Sequence, residues 1–386
     1  MSNGQAAHQI PSVRISPDNQ TVLNNLGLLA ELAGNWHGTG FNLVARPDFQ
    51  DKTNVFLELN LTNETTKFDP ISSSIPNRGF AQADIELFGL TYLQKISDAT
   101  TGGALHIEPG IWVTQPPTSN PPLSPPTGAQ LVSRMANIPH GNSLLAQGIV
   151  AAFDGPPTIS PGTNPLSGAN PAFSLFPSFN STAIDLQPGP GLIAAGVPLG
   201  AAIFAAGTSE AQSKPGGGFP QYTLSNPPSA TNTRTPLGNV PPVLPASITQ
   251  TLLNDPVTLL QQTIQNQIAE GYSFSGVALN ISTAPSISFL TAPVINGSPV
   301  PPVAVVNLAQ AGGGAENLSF LQTNADTTLV YATFWLEKLT HPNQPTIMQL
   351  QYAQMVMLNF PALTIPGTPA FAWPHVSVAT LRKTFG

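Results

Sequence analysis

The chain has 386 residues, of which 41% are hydrophobic and only 8% are charged, against a usual charged share of about 25%. Its 42 prolines and 33 glycines exclude a mainly helical protein, because proline breaks helices and glycine weakens them. A net charge of −7 with 12 thinly spread lysines and arginines excludes a nucleic-acid-binding surface, and the absence of cysteine excludes disulfides, thiolate metal sites and cysteine nucleophiles.

The N-terminal segment, residues 1–18, is predicted to be a polar tail. No apolar segment of the kind found in secretion signals follows its first residues. No stretch of the chain approaches the roughly 18 uninterrupted apolar residues that a membrane-spanning helix needs. We therefore expect a soluble, cytoplasmic protein without a membrane span.

The first structured segment is predicted to be a helix over residues 21–33, because Val22, Leu26 and Leu29 recur at helical spacing. The pattern then changes to period two at residues 34–40, where glycines alternate with larger residues. Glycines along one face of a strand indicate a bend or the close approach of another backbone. Later in the same block, alternating or β-branched sequence predicts strands over residues 54–61, 80–93, 104–113, 131–136 and 144–153.

The middle of the chain changes character. Residues 154–245 are rich in proline, glycine and serine and are predicted to be an insertion with little regular structure. Residues 246–327 are predicted to be an extension with one helix and one strand. The helix is expected to begin at Asp255-Pro256, since aspartate is a good N-cap and proline suits the first helical position. Its apolar stripe comprises Val257, Leu260, Ile264 and Ile268.

Residues 328–386 are predicted to be closing strands, over 328–338, 347–360 and 372–382. Three antiparallel strands joined in order form a meander, which is typical of an up-and-down barrel. With residues 19–153 as its first part, the predicted fold is mainly β: an antiparallel up-and-down β-barrel with two short helices and a long proline-rich insertion.

The last predicted strand carries the first candidate site residue. Trp373, His375 and Ser377 share one face because side chains alternate along a strand. Inside a barrel, His375 would point a ring nitrogen into an apolar cavity, as an axial ligand of heme iron must. The alternative is an ordinary half-buried histidine with a hydrogen-bonded ring.

Other side chains suggest a second chemical role. His106 and Glu108 lie two apart and so share a face. Facing inward they would form an acid–base pair for a peroxide or another small substrate, and facing outward they would be a solvated pair. Met355 and Met357 also share a face and would line a cavity or pack in the core. His140 is predicted to be a turn residue with a surface role.

Three short segments resemble the nitrobindins, a family of heme-containing ten-stranded β-barrels related in shape to lipocalins and fatty-acid-binding proteins. They are GNWHGTG at 34–40, LHIEPG at 105–110 and HVSVATLR at 375–382, and their order matches the family. The resemblance implies heme b as cofactor and His375 as its proximal ligand. It also implies that Trp36, His106 and Glu108 belong to the framework of the barrel. The predicted cofactor-binding set is His375, Trp36, Trp373, Met355 and Met357.

The leading functional hypothesis is a soluble heme protein with an open position for nitric oxide, peroxynitrite or a peroxide, a chemistry that only the resemblance suggests. One alternative is a lipocalin-like carrier of an apolar small molecule. Another is an enzyme acting on such a molecule, with His106 and Glu108 as acid and base. Whether the protein is an enzyme stays open at this point. If it is one, a peroxidase-like or isomerase-like activity is expected.

Overall fold

Ten antiparallel strands form a closed barrel in the computed structural model, which confirms the predicted fold class. The structure describes residues 18–48, 53–157, 159, 245–249, 251–252, 256–283, 294–295, 298–299, 313–360 and 371–384. Residues 1–17 of the predicted tail and most of the predicted insertion lie outside the described residues.

Each barrel strand pairs with the next along the chain, and the last pairs with the first. The strands are β1 (Gly34–Asp48), β2 (Thr53–Pro70), β3 (Ile85–Asp98), β4 (Ala104–Gln115), β5 (Ala129–Ile138), β6 (Asn142–Asp154), β7 (Ser273–Ser282), β8 (Asp326–His341), β9 (Gln344–Phe360) and β10 (Phe371–Thr384). The strand predicted as part of an extension outside the barrel, β7, is instead one of the ten barrel strands. It pairs with both β6 and β8.

The remaining described elements are short. The helices are α1 (Asn19–Leu26), a 3-10 helix (Gly27–Leu32), α2 (Thr258–Ala269) and α3 (Ser319–Asn324). Short strands outside the barrel ring are Ile75–Asn77, Thr118–Ser119, Pro122–Leu123, Val294–Ile295, Ser298–Pro299 and Gly314–Asn317. In the part of the chain that the structure describes, no helix is long and apolar enough to cross a membrane.

The N-terminal helical segment closes one end of the barrel. Val22, Leu26 and Leu29 are fully buried and belong to the same apolar cluster as Trp36 at the start of β1. The indole Nε1 of Trp36 donates to the carbonyl oxygen of Leu32 at 2.7 Å, which fixes the angle between the helical segment and the strand. Burial of these large apolar side chains supplies most of the driving force for closing this end.

The glycines of β1 let this strand approach β10 closely. A Cβ atom at Gly38 would lie 2.0 Å from the carbonyl oxygen of Thr380, and one at Gly40 would lie 2.3 Å from that of Val378. No side chain fits at such a separation, so glycine is required at both positions. The close approach expected from the alternating glycines is thus confirmed.

Helix α2 packs on the outer wall of the barrel. Val257, Leu260 and Ile264 of the predicted stripe are buried, but Ile268 is 40% exposed and Gln267 is buried in its place. The stripe is displaced at this end because Gln267 hydrogen-bonds to Gln349 on β9, with its Nε2 2.7 Å from Gln349 Oε1. The predicted N-cap, Asp255, lies outside the described residues.

Candidate functional site

A cavity of about 270 Å³ occupies the barrel between the closed end and the opposite mouth. Apolar side chains such as Ile96, Phe334 and Val356 alternate in its wall with about as many polar ones, among them the partly buried carboxyl group of Glu58. Ligand pockets typically combine an apolar wall with a few polar groups that fix orientation. Three sets of polar side chains, centred on His375, Glu108 and Glu64, lie in or directly behind this wall; Glu108 and Glu64 contact residues of the lining but do not themselves line the cavity.

The first set contains His375, which lies in β10 with its ring in the cavity, as the alternation of the strand predicts. Its Nε2 lies 2.6 Å from Asn42 Oδ1 and 3.4 Å from Ser377 Oγ. Burial lowers the pKa of His375 to about 3, with smaller contributions from the charges of His106 and His140. The imidazole is therefore neutral at physiological pH, and Asn42 accepts a hydrogen bond from it in the tautomer with the proton on Nε2.

Two other predicted cofactor residues do not line the cavity and need correction. Trp36 is fully buried at the closed end, where its indole Nε1 donates a hydrogen bond to the carbonyl oxygen of Leu32. Met355 is also buried, but it alternates with Tyr352 and Gln354, so it lies on the outer face of β9. The side chains of Trp373 and Met357 lie outside the described part of the chain.

The second set is an ion-pair network around Glu108, which is fully buried. The carboxylate of Glu108 accepts hydrogen bonds from Arg134 Nη2 and from the Tyr92 hydroxyl, and its Oε2 lies 3.2 Å from His106 Nε2. Arg134 is equally committed, because its Nε donates to Tyr92 at 2.9 Å and its Nη1 donates to Gln354 at 2.7 Å. His106 and Glu108 do face inward, as one of the two sequence interpretations required.

The charge state of Glu108 limits its chemistry. Burial alone would raise the pKa of Glu108, but the Arg134 charge and contacts from His106 and Tyr92 outweigh burial and lower it to about 2. A carboxylate that is ionised and fully hydrogen-bonded does not exchange protons near neutral pH. In this structure Glu108 positions His106 and neutralises Arg134.

Removing the Tyr92 hydroxyl tests this network at modest cost. Tyr92→Phe removes one hydrogen bond to Glu108 and one to Arg134 without changing the shape of the side chain. We expect the free energy of unfolding to fall by about 1–3 kcal/mol, since both partners stay buried. Urea unfolding at neutral pH measures the loss. An unchanged midpoint would show that the Tyr92 hydroxyl does not contribute to stability.

The third set surrounds Glu64, another buried carboxyl group. Its Oε2 accepts a hydrogen bond from the Tyr352 hydroxyl at 2.7 Å and a longer one from Gln94 Nε2 at 3.3 Å, and Thr62 donates to its Oε1 at 3.1 Å. These partners are all uncharged. Burial therefore dominates and raises the pKa of Glu64 to about 7, although the three hydrogen bonds and the His106 charge lower it in part.

His140 occupies the turn between β5 and β6, as predicted, but its ring also borders the mouth of the cavity. The ring centroids of His140 and His106 lie 5.8 Å apart. The sequence analysis missed this contact, and it assigned no role to Arg134, Tyr92, Glu64 or Tyr352. The signal available in the sequence was the alternation of side chains along each strand, which places Tyr352 and Arg134 on the same faces as apolar core residues.

No family model matches the chain, and no curated protein matches it. A matching solved structure is titled "Crystal Structure of Rv2717c from M. tuberculosis". The two chains are 10% identical, with a TM-score of 0.32, over 94% of this chain and 98% of that chain. A likeness of this size identifies neither a family nor a ligand, so the site is interpreted from its own residues.

Among the described residues, no group of three or more histidine, cysteine or acidic side chains is arranged to hold a metal ion. Heme does not need such a group, because the porphyrin supplies four ligands and the protein supplies one or two. A neutral imidazole that borders a cavity fits that donor chemistry, and His375 provides it. The donor chemistry of His375 therefore fits heme, whereas the cavity is smaller than a porphyrin, so heme binding requires the ring to extend into the mouth or the cavity to widen.

Proposed function

We propose that this barrel binds heme b, with the His375 imidazole as the axial ligand of the iron. The observation that carries the proposal is the position of His375, whose ring borders the cavity of a closed barrel with Nε2 2.6 Å from Asn42 Oδ1. The three segments that resemble nitrobindins support it, and His375 begins the third of them.

When bound, heme supplies an iron with an open coordination position for a small ligand such as nitric oxide, peroxynitrite or a peroxide. The chain's own residues prepare the site. Asn42 now holds Nε2 of His375 at 2.6 Å, so iron binding at this nitrogen replaces the Asn42 contact. Arg134 and His106 add donors to a wall that also carries apolar side chains such as Val330, Phe334 and Val356.

Heme titration tests the proposal directly. Purified protein mixed with heme b is expected to develop a sharp Soret band that saturates at one heme per chain. His375→Ala should abolish this band, whereas His106→Ala and His140→Ala, which remove the other two imidazoles that border the cavity, should leave it. His37→Ala, which removes an exposed histidine of β1, is the matched control and should leave the band intact.

Asn42→Ala separates a ligand histidine from a structural one. If His375 binds iron through Nε2, removal of the competing Asn42 contact should tighten heme binding severalfold. A Soret band that persists in His375→Ala would overturn the proposal. Weaker heme binding by Asn42→Ala would exclude Nε2 of His375 as the nitrogen that binds iron.

A carrier of a small apolar molecule is the second candidate, and the size of the cavity favours it. At about 270 Å³ the cavity is less than twice the roughly 150 Å³ that holds one benzene molecule in an engineered protein core. A ligand of one or two rings fits that space without rearrangement. This candidate requires a colourless protein whose organic extract contains such a molecule, which mass spectrometry would identify.

A further inference from the structure

The inner end of the cavity is bounded by a polar partition. Four side chains, Gln94, Arg134, Phe334 and Tyr352, line both the main cavity and a separate pocket of about 20 Å³ nearer the closed end. The small pocket has room for one water molecule. Tyr352 pairs with Ala379, four residues along β10 from His375 on the side of the closed end. The partition and His375 therefore lie at different depths.

Glu64 supports this partition from behind. Its carboxyl group contacts the Tyr352 hydroxyl through both oxygens, at 2.9 and 2.7 Å, and Gln94 Nε2 lies 3.3 Å from both Glu64 and the Tyr352 hydroxyl. Both residues of the partition that contact Glu64 also line the cavity. Glu64 is thus one hydrogen bond away from any molecule that touches Tyr352.

The protonation state of Glu64 sets which hydrogen-bonding group Tyr352 presents. When Glu64 is ionised, it accepts a hydrogen bond from the Tyr352 hydroxyl, and the hydroxyl has no hydrogen left to donate to a ligand. When Glu64 is protonated, its own O–H can donate to the Tyr352 oxygen, and the hydroxyl hydrogen becomes available to a ligand. Tyr352 itself stays a phenol, because burial and the Glu64 charge raise its pKa well above the ordinary value.

We propose that the inner end of the cavity is a binding subsite for a carbonyl oxygen of a small, largely apolar molecule, with the Tyr352 hydroxyl as donor and Glu64 as the group that makes this donor available. The aromatic rings of Tyr352 and Phe334, with centroids 5.4 Å apart, provide the adjoining apolar wall. This inference goes beyond heme binding, and its evidence is independent of His375.

The proposal predicts that ligand binding is coupled to proton uptake near neutral pH. Charges that act on Glu64 or Tyr352 come from His106, Arg134 and Glu108. Arg134 and Glu108 form an ion pair that keeps its charges from acidic to alkaline pH, since the pKa of Glu108 is about 2 and that of Arg134 is raised. His106→Asn measures how much of the pH dependence comes from the charge of His106.

Two probes of the same shape isolate the carbonyl oxygen. Acetophenone carries an acceptor oxygen, and α-methylstyrene carries a methylene group in its place. We expect acetophenone to bind roughly 5-fold to 10-fold more tightly than α-methylstyrene at about pH 5.5, the usual value of one hydrogen bond. The advantage should disappear at about pH 8.5. Calorimetry on the protein without added heme measures both affinities.

Variants assign the effect to residues. Tyr352→Phe should remove the advantage of acetophenone at every pH, and Glu64→Gln, whose amide can donate to Tyr352 permanently, should keep the advantage at both pH values. Glu58→Gln changes the glutamate that pairs with Val44 at the depth of His375, and it should leave the pH dependence unchanged. Circular dichroism checks that each variant is folded.

Three outcomes would overturn the proposal. Equal binding of the two probes by the unmodified protein at about pH 5.5 excludes a hydrogen-bond donor at the inner end of the cavity. A pH dependence that survives in folded Glu64→Gln excludes Glu64 as its source. An acetophenone advantage that survives in folded Tyr352→Phe excludes Tyr352. None of these results depends on whether a Soret band forms, so the two proposals fail or succeed separately.

Discussion

Replacing Arg134 by methionine is expected to lower the free energy of unfolding by about 3–5 kcal/mol at neutral pH, the usual cost of breaking a buried ion pair. Arg134 is 3% exposed and Glu108 is fully buried, so neither charge is compensated by water. Methionine keeps apolar contact with the rings of Tyr92, Trp112 and Phe334, whose centroids lie 5.4–5.8 Å from the guanidinium carbon. The loss therefore reports the stranded carboxylate of Glu108. Urea unfolding measures it.

The dependence of this loss on pH has a definite sign. The pKa of Glu108 is about 2 in the folded protein, below its ordinary value of 4.5, so the stability that the ion pair contributes is present above pH 4.5 and declines as the pH falls toward 2. The difference between wild type and Arg134→Met should therefore shrink in acid. A difference that grows in acid would contradict the assignment.

Two further variants provide controls. Adding Glu108→Gln to Arg134→Met removes the stranded charge and should recover a large part of the lost stability. Lys67→Met breaks an exposed ion pair, in which Nζ of Lys67 lies 2.9 Å from Asp69, and should cost less than about 1 kcal/mol. Equal losses in Lys67→Met and Arg134→Met would mean that burial of the pair is unimportant.

The strands of the barrel were predictable because each is a long segment of period two. The predicted strands at 328–338 and 347–360 correspond to Asp326–His341 and Gln344–Phe360. Their observed ends extend into the predicted turn because hairpin pairing continues from backbone to backbone without apolar side chains, as far as His341 and Gln344. Helix α3 has only six residues and no buried side chain, so it gave no periodic signal.

The orientation of side chains was harder to predict because this barrel does not follow the apolar-inside rule along every strand. On β2, Leu59 is buried on the outer face, whereas Glu58 and Glu64, on the other face, lie inside the barrel. Both faces of a strand are therefore partly buried, and hydrophobicity alone does not identify the lumen. The same ambiguity left Met355 open between lining a cavity and packing in the core, and the structure buries it on the outer face of β9.

The polar networks were out of reach of local sequence reasoning. His106 and Glu108 were found because they are two residues apart, but Arg134 is 26 residues from Glu108, and Tyr352 is 288 residues from Glu64. Only the register of the closed barrel brings these side chains together. A sequence can mark each residue as inward-facing, but without strand pairing it cannot assign partners.

Glu337→Gln is expected to make the protein more stable than wild type at alkaline pH, by an amount on the order of 4 kcal/mol near pH 9. Glu337 lies fully buried on β8, where it accepts a hydrogen bond from Gln349 and where its Oε1 has no partner among the described residues. Burial raises the pKa of Glu337 from 4.5 to about 8, and the Gln349 hydrogen bond lowers it only in part.

The sign follows from the raised pKa. A carboxyl group with a raised folded-state pKa contributes stability below pH 4.5 that is lost as the pH rises through 8, because folding then requires a buried charge. Glutamine cannot ionise, so the variant should match wild type at about pH 5 to within roughly 1–2 kcal/mol, exceed it by a margin that grows up to about pH 8, and keep that margin above pH 8. Urea unfolding across this range gives the difference. Glu270→Gln, at an exposed glutamate after α2, is the control and should show no such dependence on pH. A Glu337→Gln stability profile that runs parallel to that of wild type would mean that Glu337 is already ionised in the folded barrel.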